Sequence, residues 1–427
     1  MNILVVGEAS WNDKNSFGNT VSNFFCGEEW KSDRFSCFYA RKQLPDNKAQ
    51  VDYYNLSAVD IVKGAFRFQI KGKRFSSDEL NRNSDVKSQN NEQKWIEKIH
   101  SGKNEIIYYC YEGIWRSKIW LNRHFKQFVS EHEPDVLFSF CTGPFLLLPV
   151  ISYLKKNTNC KVVLFLADDV YGQYDRYSAI RRAYSRKDLE KCIRLSDKLY
   201  GISAEMCRLY HDKFKKDVQF LTKGCSLSIP PKDTLNHPIK IVYAGNLLWG
   251  RDEVLSKLAD VLEKINQNGV KAVLEIYTNS AVTPELTGKL NKGNSSRITG
   301  ARPYSEIMRI MHDADVSLHV ESFEETYMET VRYSFSTKIT DCLQSGSQLI
   351  AIGPSGIASI EYCKKIPGAV VIDDLNQLDA VITDLINDPA GIDKNRGLNR
   401  QFAGEYHDEK VVQSKLRSDF VHLIEER

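Results

Sequence analysis

Short apolar runs alternate with longer amphipathic stretches along both halves of the chain, and this alternation restricts the fold more than any other feature. The runs of four to six apolar residues have the length of buried strands, and helical periodicity marks the stretches between them. Parallel strands joined by helices produce such an alternation. The sequence predicts strands at 2–6, 135–140, 161–166, 198–202, 219–221, 240–243, 272–277, 316–320, 348–352 and 369–372, and helices at 251–266, 304–314, 337–344 and 409–426.

A turn-rich segment at 229–234, with the sequence Ile-Pro-Pro-Lys-Asp-Thr, separates two such series. We therefore predict an α/β protein with two Rossmann-like domains in tandem and a cleft between them, where the strands of both sheets end. The predicted domains are 1–232 and 238–408, followed by a C-terminal helix at 409–427. A polar stretch at 71–105 predicts a surface insertion in the first domain.

Composition narrows the class of protein. The chain of 427 residues is 42% hydrophobic and 26% charged, which excludes a disordered, collagen-like or disulfide-stapled protein. The net charge of +3 divides into +9 for residues 1–235 and −6 for the remainder, so the halves are expected to have different partners. Because the total is close to neutral, nucleic acid is not an expected partner.

The ten cysteines are scattered without a CxxC pair, which predicts neither a zinc cage nor a redox dithiol and fits a reducing cytoplasm. The N-terminus reads as a first strand, not as a signal peptide. Residues 136–154 carry no charge, but Thr142-Gly143-Pro144 interrupts them. We expect a strand, a turn and a buried helix there, and no transmembrane segment.

A dinucleotide fingerprint is absent, because the glycine after Gly7 in the first βα turn is Gly18. NAD is therefore not an expected cofactor. Gly18 and Asn19 are predicted to begin the first helix, where backbone amides could meet an anionic or hydroxyl-rich ligand. The alternative is an ordinary turn with its cap.

Two segments of the second domain indicate an anion site. Gly245 and Arg251 lie between a strand and a helix, where an arginine fork and a helix dipole can neutralise a diphosphate without a metal. Further along, Ser336 or Thr337 can cap a helix that has Lys338 in its first turn and Asp341 three residues later. The alternatives are a glycine-rich turn without a ligand, and a capped helix with a local Lys–Asp pair.

These segments resemble the nucleotide-sugar domain of GT-B glycosyltransferases, and among them the family 4/group 1 enzymes of bacterial surface polysaccharide synthesis. The resemblance covers residues 238–365 and is topological over the first half. It is carried by Gly245-Asn246-Leu247, Arg251-Asp252, Thr299-Gly300-Ala301-Arg302-Pro303, Ala314-Asp315-Val316, Ser336-Thr337-Lys338-Ile339-Thr340-Asp341 and Gly353-Pro354.

The resemblance implies a donor site for a nucleotide diphosphate-sugar and no metal or other cofactor. In the family, two cationic residues after the first strand bind the phosphates. Their positions correspond here to Asn246, which carries no charge, and to Arg251, and Lys338 is a further cation. Asp341 would hold the ribose and Glu324 the sugar ring, with Glu325 and Glu329 as rivals because Tyr333 stands where the first acid is counted. The implied donor-binding set is Gly245, Asn246, Arg251, Arg302, Glu324, Ser336, Thr337, Lys338 and Asp341.

Asp168 and Asp169 follow the strand at 161–166, where relatives face the acceptor. One of them could be the catalytic base of an inverting enzyme, whereas a retaining relative needs none, and both could simply cap the next turn. The resemblance places Gly18 and Asn19 on the acceptor side as well. Arg251 and Lys338 are the other expected catalytic residues, stabilising the leaving diphosphate.

A helix predicted at 112–131 combines Trp115, Ile119, Trp120, Phe125 and Phe128 with basic residues. It could lie on an anionic membrane, although a core-facing helix has the same pattern.

The expected function is transfer of a sugar to a glycan or lipid-linked glycan acceptor, with retention, in the cytoplasm or at the inner face of the plasma membrane. The alternatives are a nucleotide-sugar 2-epimerase of the same fold and a non-catalytic partner subunit.

Overall fold

The computed structural model describes residues 1–82 and 105–426, and it divides the chain into two compact units. The first contains Met1–Leu221 together with Gln413–Arg427, and the second contains Thr222–Val412. The division falls upstream of the predicted linker at 229–234. The predicted C-terminal helix is present as Glu409–Glu425, and most of it is assigned to the first unit. Of the predicted insertion at 71–105, residues 83–104 lie outside the described residues, and the part before them forms a strand and a short helix.

In the described part of the first unit, eight strands form one sheet in the order β4-β3-β2-β1-β5-β6-β7-β8. All neighbours are parallel except β4, which pairs with β3 in the antiparallel direction. The strands are β1 Asn2–Gly7, β2 Arg34–Tyr39, β3 Val51–Asn55, β4 Lys73–Ser76, β5 Val136–Phe140, β6 Lys161–Leu166, β7 Lys198–Gly201 and β8 Gln219–Phe220.

Helices connect these strands. Several begin at a side-chain cap: Asn15, Asn122 and Ser203 each accept a hydrogen bond from an amide of the first helical turn. The helices are Ser16–Phe25, Ala58–Phe66, Ser77–Arg82, Glu105–Arg116, Arg123–His132, Pro144–Asn157, Val170–Gln173, Ala179–Leu195, Ala204–Phe214 and, at the C-terminus, Glu409–Glu425.

The second unit has a parallel sheet with the order β11-β10-β9-β12-β13-β14 in the residues described. Its strands are β9 Ile239–Ala244, β10 Ala272–Tyr277, β11 Ser296–Ile298, β12 Val316–Val320, β13 Gln348–Ile352 and β14 Val370–Ile372. The helices that cover it are Arg251–Ile265, Pro284–Leu290, Tyr304–Asp313, Glu325–Val331, Lys338–Ser345, Ala358–Cys363, Leu378–Asn387 and Pro389–Tyr406.

Both sheets have the doubly wound arrangement of a Rossmann-like domain, so the predicted α/β class with two Rossmann-like domains is confirmed. In each sheet the strand order reverses beside the first strand, between β1 and β5 and between β9 and β12. The apolar core of the second unit lies between its sheet and helices and includes Ile241, Leu255, Leu274, Leu318 and Ile350.

One prediction in the first unit is wrong. The single helix expected at 112–131 is two helices, Glu105–Arg116 and Arg123–His132, because Lys118 adopts a left-handed conformation and Asn122 caps a new helix. Its aromatic residues belong to the core, since Trp115, Trp120, Phe125 and Phe128 are all buried. These four aromatic side chains therefore face the core, as the alternative interpretation of the pattern supposed.

The uncharged stretch at 136–154 is confirmed as a strand, a turn and a buried helix, namely β5 followed by Pro144–Asn157. Throughout the described residues, no helix has both the length and the apolar character needed to cross a membrane.

Candidate functional site

A cavity of about 420 Å³ opens at the carboxyl edge of the second sheet. It lies at the point where the strand order reverses between β9 and β12, which is where open α/β sheets bind their ligands. It is lined by residues from the ends of β9 and β10, from the loop after β11, from β12 and from the helices Tyr304–Asp313 and Lys338–Ser345. The lining residues are Ala244, Gly245, Asn246, Tyr277, Thr278, Asn279, Ala301, Arg302, Tyr304, Ile307, Met311, Leu318, Thr337, Lys338, Asp341 and Cys342.

Lys338 and Arg302 are the two cations in the described lining of this cavity, and Lys338 lies against strand β9. Its Nζ lies so close over Gly245 that a Cβ built on the glycine would be 2.1 Å from it, so a larger residue there would displace the ammonium group. The same Nζ lies 5.4 Å from the centre of the Tyr243 ring, whose hydroxyl donates to the Asn246 carbonyl over 2.6 Å. Strand β9 and its turn therefore form a shaped seat for the ammonium group.

Burial lowers the pKa of Lys338 to about 8, and the positive charge of Arg251 contributes to the same shift. Glu321 acts in the opposite direction without restoring the ordinary value of 10.5. Among the described residues, no carboxylate forms an ion pair with Lys338, so the local pair with Asp341 considered from the sequence is not formed. The site holds a partly desolvated cation that an anionic ligand would stabilise.

Asp341 lies on the same helix and has other partners. Its Oδ1 accepts a hydrogen bond from the Tyr304 hydroxyl over 2.8 Å and lies 3.6 Å from the Lys223 Nζ. Within the part of the chain that the structure describes, no donor reaches its Oδ2. Asp341 is therefore held in position at the cavity wall through one oxygen, and the other remains able to accept from a ligand.

The N-terminus of the helix Lys338–Ser345 also faces the cavity. Thr337 occupies the N-cap position, but no side chain makes a capping hydrogen bond there, contrary to the expectation for Ser336 or Thr337. The amide of Ile339 bonds to the Ser336 carbonyl over 3.0 Å instead. An uncapped helix N-terminus beside an ammonium group is a favourable place for phosphate oxygens.

Arg251 has a different environment from the one expected. Its guanidinium makes a two-pronged ion pair with Glu321, with the shortest contact at 2.8 Å, and donates to the Asn246 Oδ1 over 2.7 Å and to the Val320 carbonyl over 3.1 Å. The side chains of Arg251 and Glu321 are only 7% and 5% exposed. In this structure Arg251 therefore positions Asn246 instead of lining the cavity itself.

Glu321 and His319 are the polar residues that the sequence prediction missed. The imidazole of His319 lies 3.0 Å from the Ser359 hydroxyl and 3.7 Å from Glu321, and burial lowers its pKa to about 3, so it is neutral. Burial also raises the pKa of Glu321, although Arg251 opposes this. The position of Glu321, directly after β12, is the signal that could have identified it.

Of the other residues predicted to bind the donor, Arg302 lines the cavity and Glu324 does not. Arg302 lines the cavity and forms an ion pair with Glu306 at 3.2 Å. Glu324, expected to contact the sugar ring, is exposed at the start of the helix Glu325–Val331 and does not line the cavity. The buried carboxylate of this region is Glu321.

On the first unit, the expected acceptor-side amide of Gly18 is already used, since it donates to the Asn15 side chain over 2.7 Å. Asn19 follows it inside the first helix. Asp169 accepts hydrogen bonds from the Gly172 amide and the Tyr210 hydroxyl, at 3.0 and 3.1 Å, so it is a helix cap as the alternative supposed. Asp168 beside it is exposed.

A further carboxylate lies at the carboxyl edge of the first sheet, directly after β1. Glu8 is 3.6 Å from the Arg41 guanidinium, and burial raises the pKa of its carboxyl group. No group of three or more His, Cys, Asp or Glu side chains suited to hold a metal occurs within residues 1–82 and 105–426. The expectation that no metal is required stays a prediction.

Comparison with known proteins shows the fold. No protein-family model matches the chain, and no curated protein matches it in sequence. One similar solved structure is Anabaena HepE in complex with UDP. It is 9% identical, has a TM-score of 0.64, and the match covers 99% of this chain and 100% of that chain. Sucrose-phosphate synthase from Thermosynechococcus elongatus is similar at 11% identity and a TM-score of 0.62, covering 100% and 99%.

The E. coli trehalose-6-phosphate structure bound with UDP-2-fluoro glucose is also similar, at 11% identity and a TM-score of 0.60, covering 98% of this chain and 99% of that chain. These structures share the GT-B arrangement of two Rossmann-like domains. The likeness extends over almost the whole length of both chains, so both units of this protein, and not the second alone, have this fold.

Proposed function

We propose that the protein is a glycosyltransferase that transfers a sugar from a nucleotide diphosphate-sugar to a glycan or lipid-linked glycan acceptor, in surface polysaccharide synthesis and without a metal. The observation that carries the proposal is the seat of Lys338 over Gly245, a partly desolvated ammonium group beside an uncapped helix N-terminus. UDP in the HepE structure and UDP-2-fluoro glucose in the E. coli structure support the choice of donor class.

In this proposal Lys338 and the first turn of its helix stabilise the diphosphate as negative charge develops on it. Asp341 accepts from the ribose hydroxyls through its Oδ2, and Tyr304 holds the carboxylate in place. Arg251 acts by fixing Asn246 at the cavity wall. The leaving phosphate can take the acceptor proton in a retaining reaction, which is the stereochemistry we propose.

The direct test is calorimetric titration with UDP and GDP, followed by incubation with the matching nucleotide-sugars, with and without a glycan acceptor. Binding followed by acceptor-dependent release of nucleotide diphosphate is expected. Conversion of the nucleotide-sugar without any acceptor would indicate the epimerase instead, and binding without any turnover would indicate a partner subunit.

Replacing Asp341 by asparagine tests the ribose contact. Asn keeps the size and one oxygen acceptor but loses the charge, so affinity should fall by about 1.5–3 kcal/mol. The loss should be equal for the nucleotide diphosphate and the nucleotide-sugar, because the contact is to the ribose. Asp384→Asn, on an exposed position of the same unit, is the matched control and should bind as the wild type does. Unchanged affinity in Asp341→Asn would contradict this assignment.

Nucleotide affinity should also depend on pH through Lys338. Its pKa of about 8 in the free protein means that the ammonium form is complete below this pH and is lost above it. A bound diphosphate favours the ammonium form and raises that pKa, so affinity should be full at pH 7 and fall by up to about tenfold per unit above pH 8. Calorimetry from pH 7 to about pH 9.5 measures this. Lys338→Arg retains its charge over that range and should give a flat profile, whereas the same slope in both proteins would assign the titration to another group.

A further inference from the structure

Two neighbouring loops of the first unit expose apolar side chains among cations. Phe66 and Phe68 are 84% and 99% exposed, which is unusual for phenylalanine, and Ile119 on the second loop is 50% exposed. The side chain of Asn122 joins the loops by donating to the Ile70 carbonyl over 2.7 Å. We call the surface formed by residues 66–71 and 117–123 the basic apolar patch.

Close backbone packing and a hydrogen bond fix the turn that carries the two phenylalanines. Gly64 lets the chain fold back, since a Cβ there would lie 2.7 Å from the Ile70 Cα, and the Gly72 amide donates to the Tyr54 hydroxyl over 3.0 Å. Phe68 has a φ of +52°, a conformation that costs free energy for a residue with a Cβ. Because the Phe68 side chain is 99% exposed and its backbone is strained, we expect it to contribute no packing free energy to this unit.

The two sequence stretches that contain the patch carry only positive charges. Residues 61–77 contain five Lys or Arg and residues 113–130 contain four, and neither stretch contains an Asp or Glu. Two of these nine cations, Arg74 and Arg116, form ion pairs with Glu131 and Glu112, which flank the second stretch. Burial lowers the pKa of His124, and so do the charges of Arg123, Lys71 and Arg74, of which Arg123 and Lys71 belong to the patch.

We propose that the basic apolar patch docks the protein on an anionic lipid bilayer, with Phe66 and Phe68 entering the headgroup region and the surrounding cations facing lipid phosphates. Exposed aromatic side chains ringed by Lys and Arg match the two requirements of interfacial binding, apolar insertion and attraction to anionic lipid. The proposal depends on the proposed function in one respect only: docking would serve to bring the donor site to a lipid-linked acceptor.

Sedimentation with vesicles tests the patch. The wild-type protein should sediment with vesicles of equal parts phosphatidylglycerol and phosphatidylcholine, remain in solution with phosphatidylcholine alone, and be released at high salt. Phe66→Ser/Phe68→Ser should weaken binding by about tenfold or more. Arg67→Glu/Lys71→Glu should weaken it by at least about fivefold for each cation.

Matched variants on another surface of the first unit serve as controls. Ile180→Ser removes a residue that is 72% exposed, and Lys187→Glu/Lys191→Glu reverses two exposed cations on the same helix, so both should bind vesicles as the wild type does. All variants should keep the wild-type affinity for UDP, because no patch residue lines the donor cavity. Phe68→Gly should melt at the same temperature as the wild type or higher, since it relieves the left-handed strain.

Three results would overturn the proposal: equal or absent binding to both vesicle types, wild-type binding by the double phenylalanine variant, or an effect of the control variants as large as that of the patch variants. A mass of two chains that falls to one in Phe66→Ser/Phe68→Ser would assign the patch to a second copy instead. Patch-dependent binding of single-stranded RNA without vesicle binding would assign it to nucleic acid. Loss of UDP binding with vesicle binding intact would contradict the proposed function and leave the docking surface unaffected.

Discussion

Replacing Lys338 by methionine is expected to abolish most nucleotide binding while making the unliganded protein more stable. The ammonium group is the cation of the cavity wall that forms no ion pair among the described residues, so its loss should weaken UDP binding by about 3 kcal/mol, or more than 100-fold. Methionine has a similar length and no charge, and it fits an apolar seat over Gly245 and Tyr243.

The stability gain follows from the same pKa. In the unfolded chain Lys338 titrates at the ordinary value of 10.5, and in the folded protein at about 8, so folding disfavours its charged form. This cost is fully present below pH 8 and diminishes as the pH rises to 10.5. Lys338→Met should therefore raise the free energy of unfolding at pH 7 by about 1–3 kcal/mol, after allowance for partial solvent screening.

Urea unfolding at pH 7 and calorimetry with UDP make the two measurements, and Lys257→Met on the exposed face of the helix Arg251–Ile265 is the matched control. The control should change neither stability by more than about 0.5 kcal/mol nor UDP affinity. A Lys338→Met protein that binds UDP as tightly as the wild type would remove the cavity as the diphosphate site.

Most of the sheet architecture was predictable from the sequence, because buried parallel strands appear as continuous apolar runs. The predicted bounds at 272–277, 316–320 and 348–352 agree with β10, β12 and β13. Strands β2 and β3 were missed because Ser36 interrupts the apolar run of β2 and the exposed Asp52 interrupts that of β3. The break at 117–122 was missed because Lys118, not glycine, takes the left-handed conformation.

The cavity was partly predictable. Residues next to strand ends and at a helix start, namely Gly245, Asn246, Lys338 and Asp341, do lie together at its wall. Their roles as donor ligands stay predictions. Tertiary partners could not be read from spacing: the ion pair of Arg251 with Glu321 joins residues 70 positions apart. This pair explains why an arginine beside the first turn is directed away from the cavity.

Removing one member of the pair Arg251–Glu321 should be the most destabilising single change near the site. Glu321→Gln leaves the buried guanidinium of Arg251 facing a neutral amide. Loss of one partner of a buried ion pair lowers the free energy of unfolding by about 3–5 kcal/mol. Glu253→Gln is the matched control, because its pair with Lys289 is largely exposed. That control should lose no more than about 1 kcal/mol in urea unfolding.

A double variant separates structural from ligand-binding roles of Arg251. Arg251→Met/Glu321→Leu removes both charges together, so its stability should return close to that of the wild type, whereas each single change is strongly destabilising. If Arg251 acts by holding Asn246, UDP affinity should fall in the double variant by about 1 kcal/mol, the worth of one positioned hydrogen bond. If Arg251 instead contacts the diphosphate directly, the loss should approach that of Lys338→Met, and Arg251 would then have to exchange Glu321 for the ligand when the nucleotide binds. Calorimetry on the double variant, in which Asn246 and Lys338 are both retained, therefore decides which residue carries the phosphate charge.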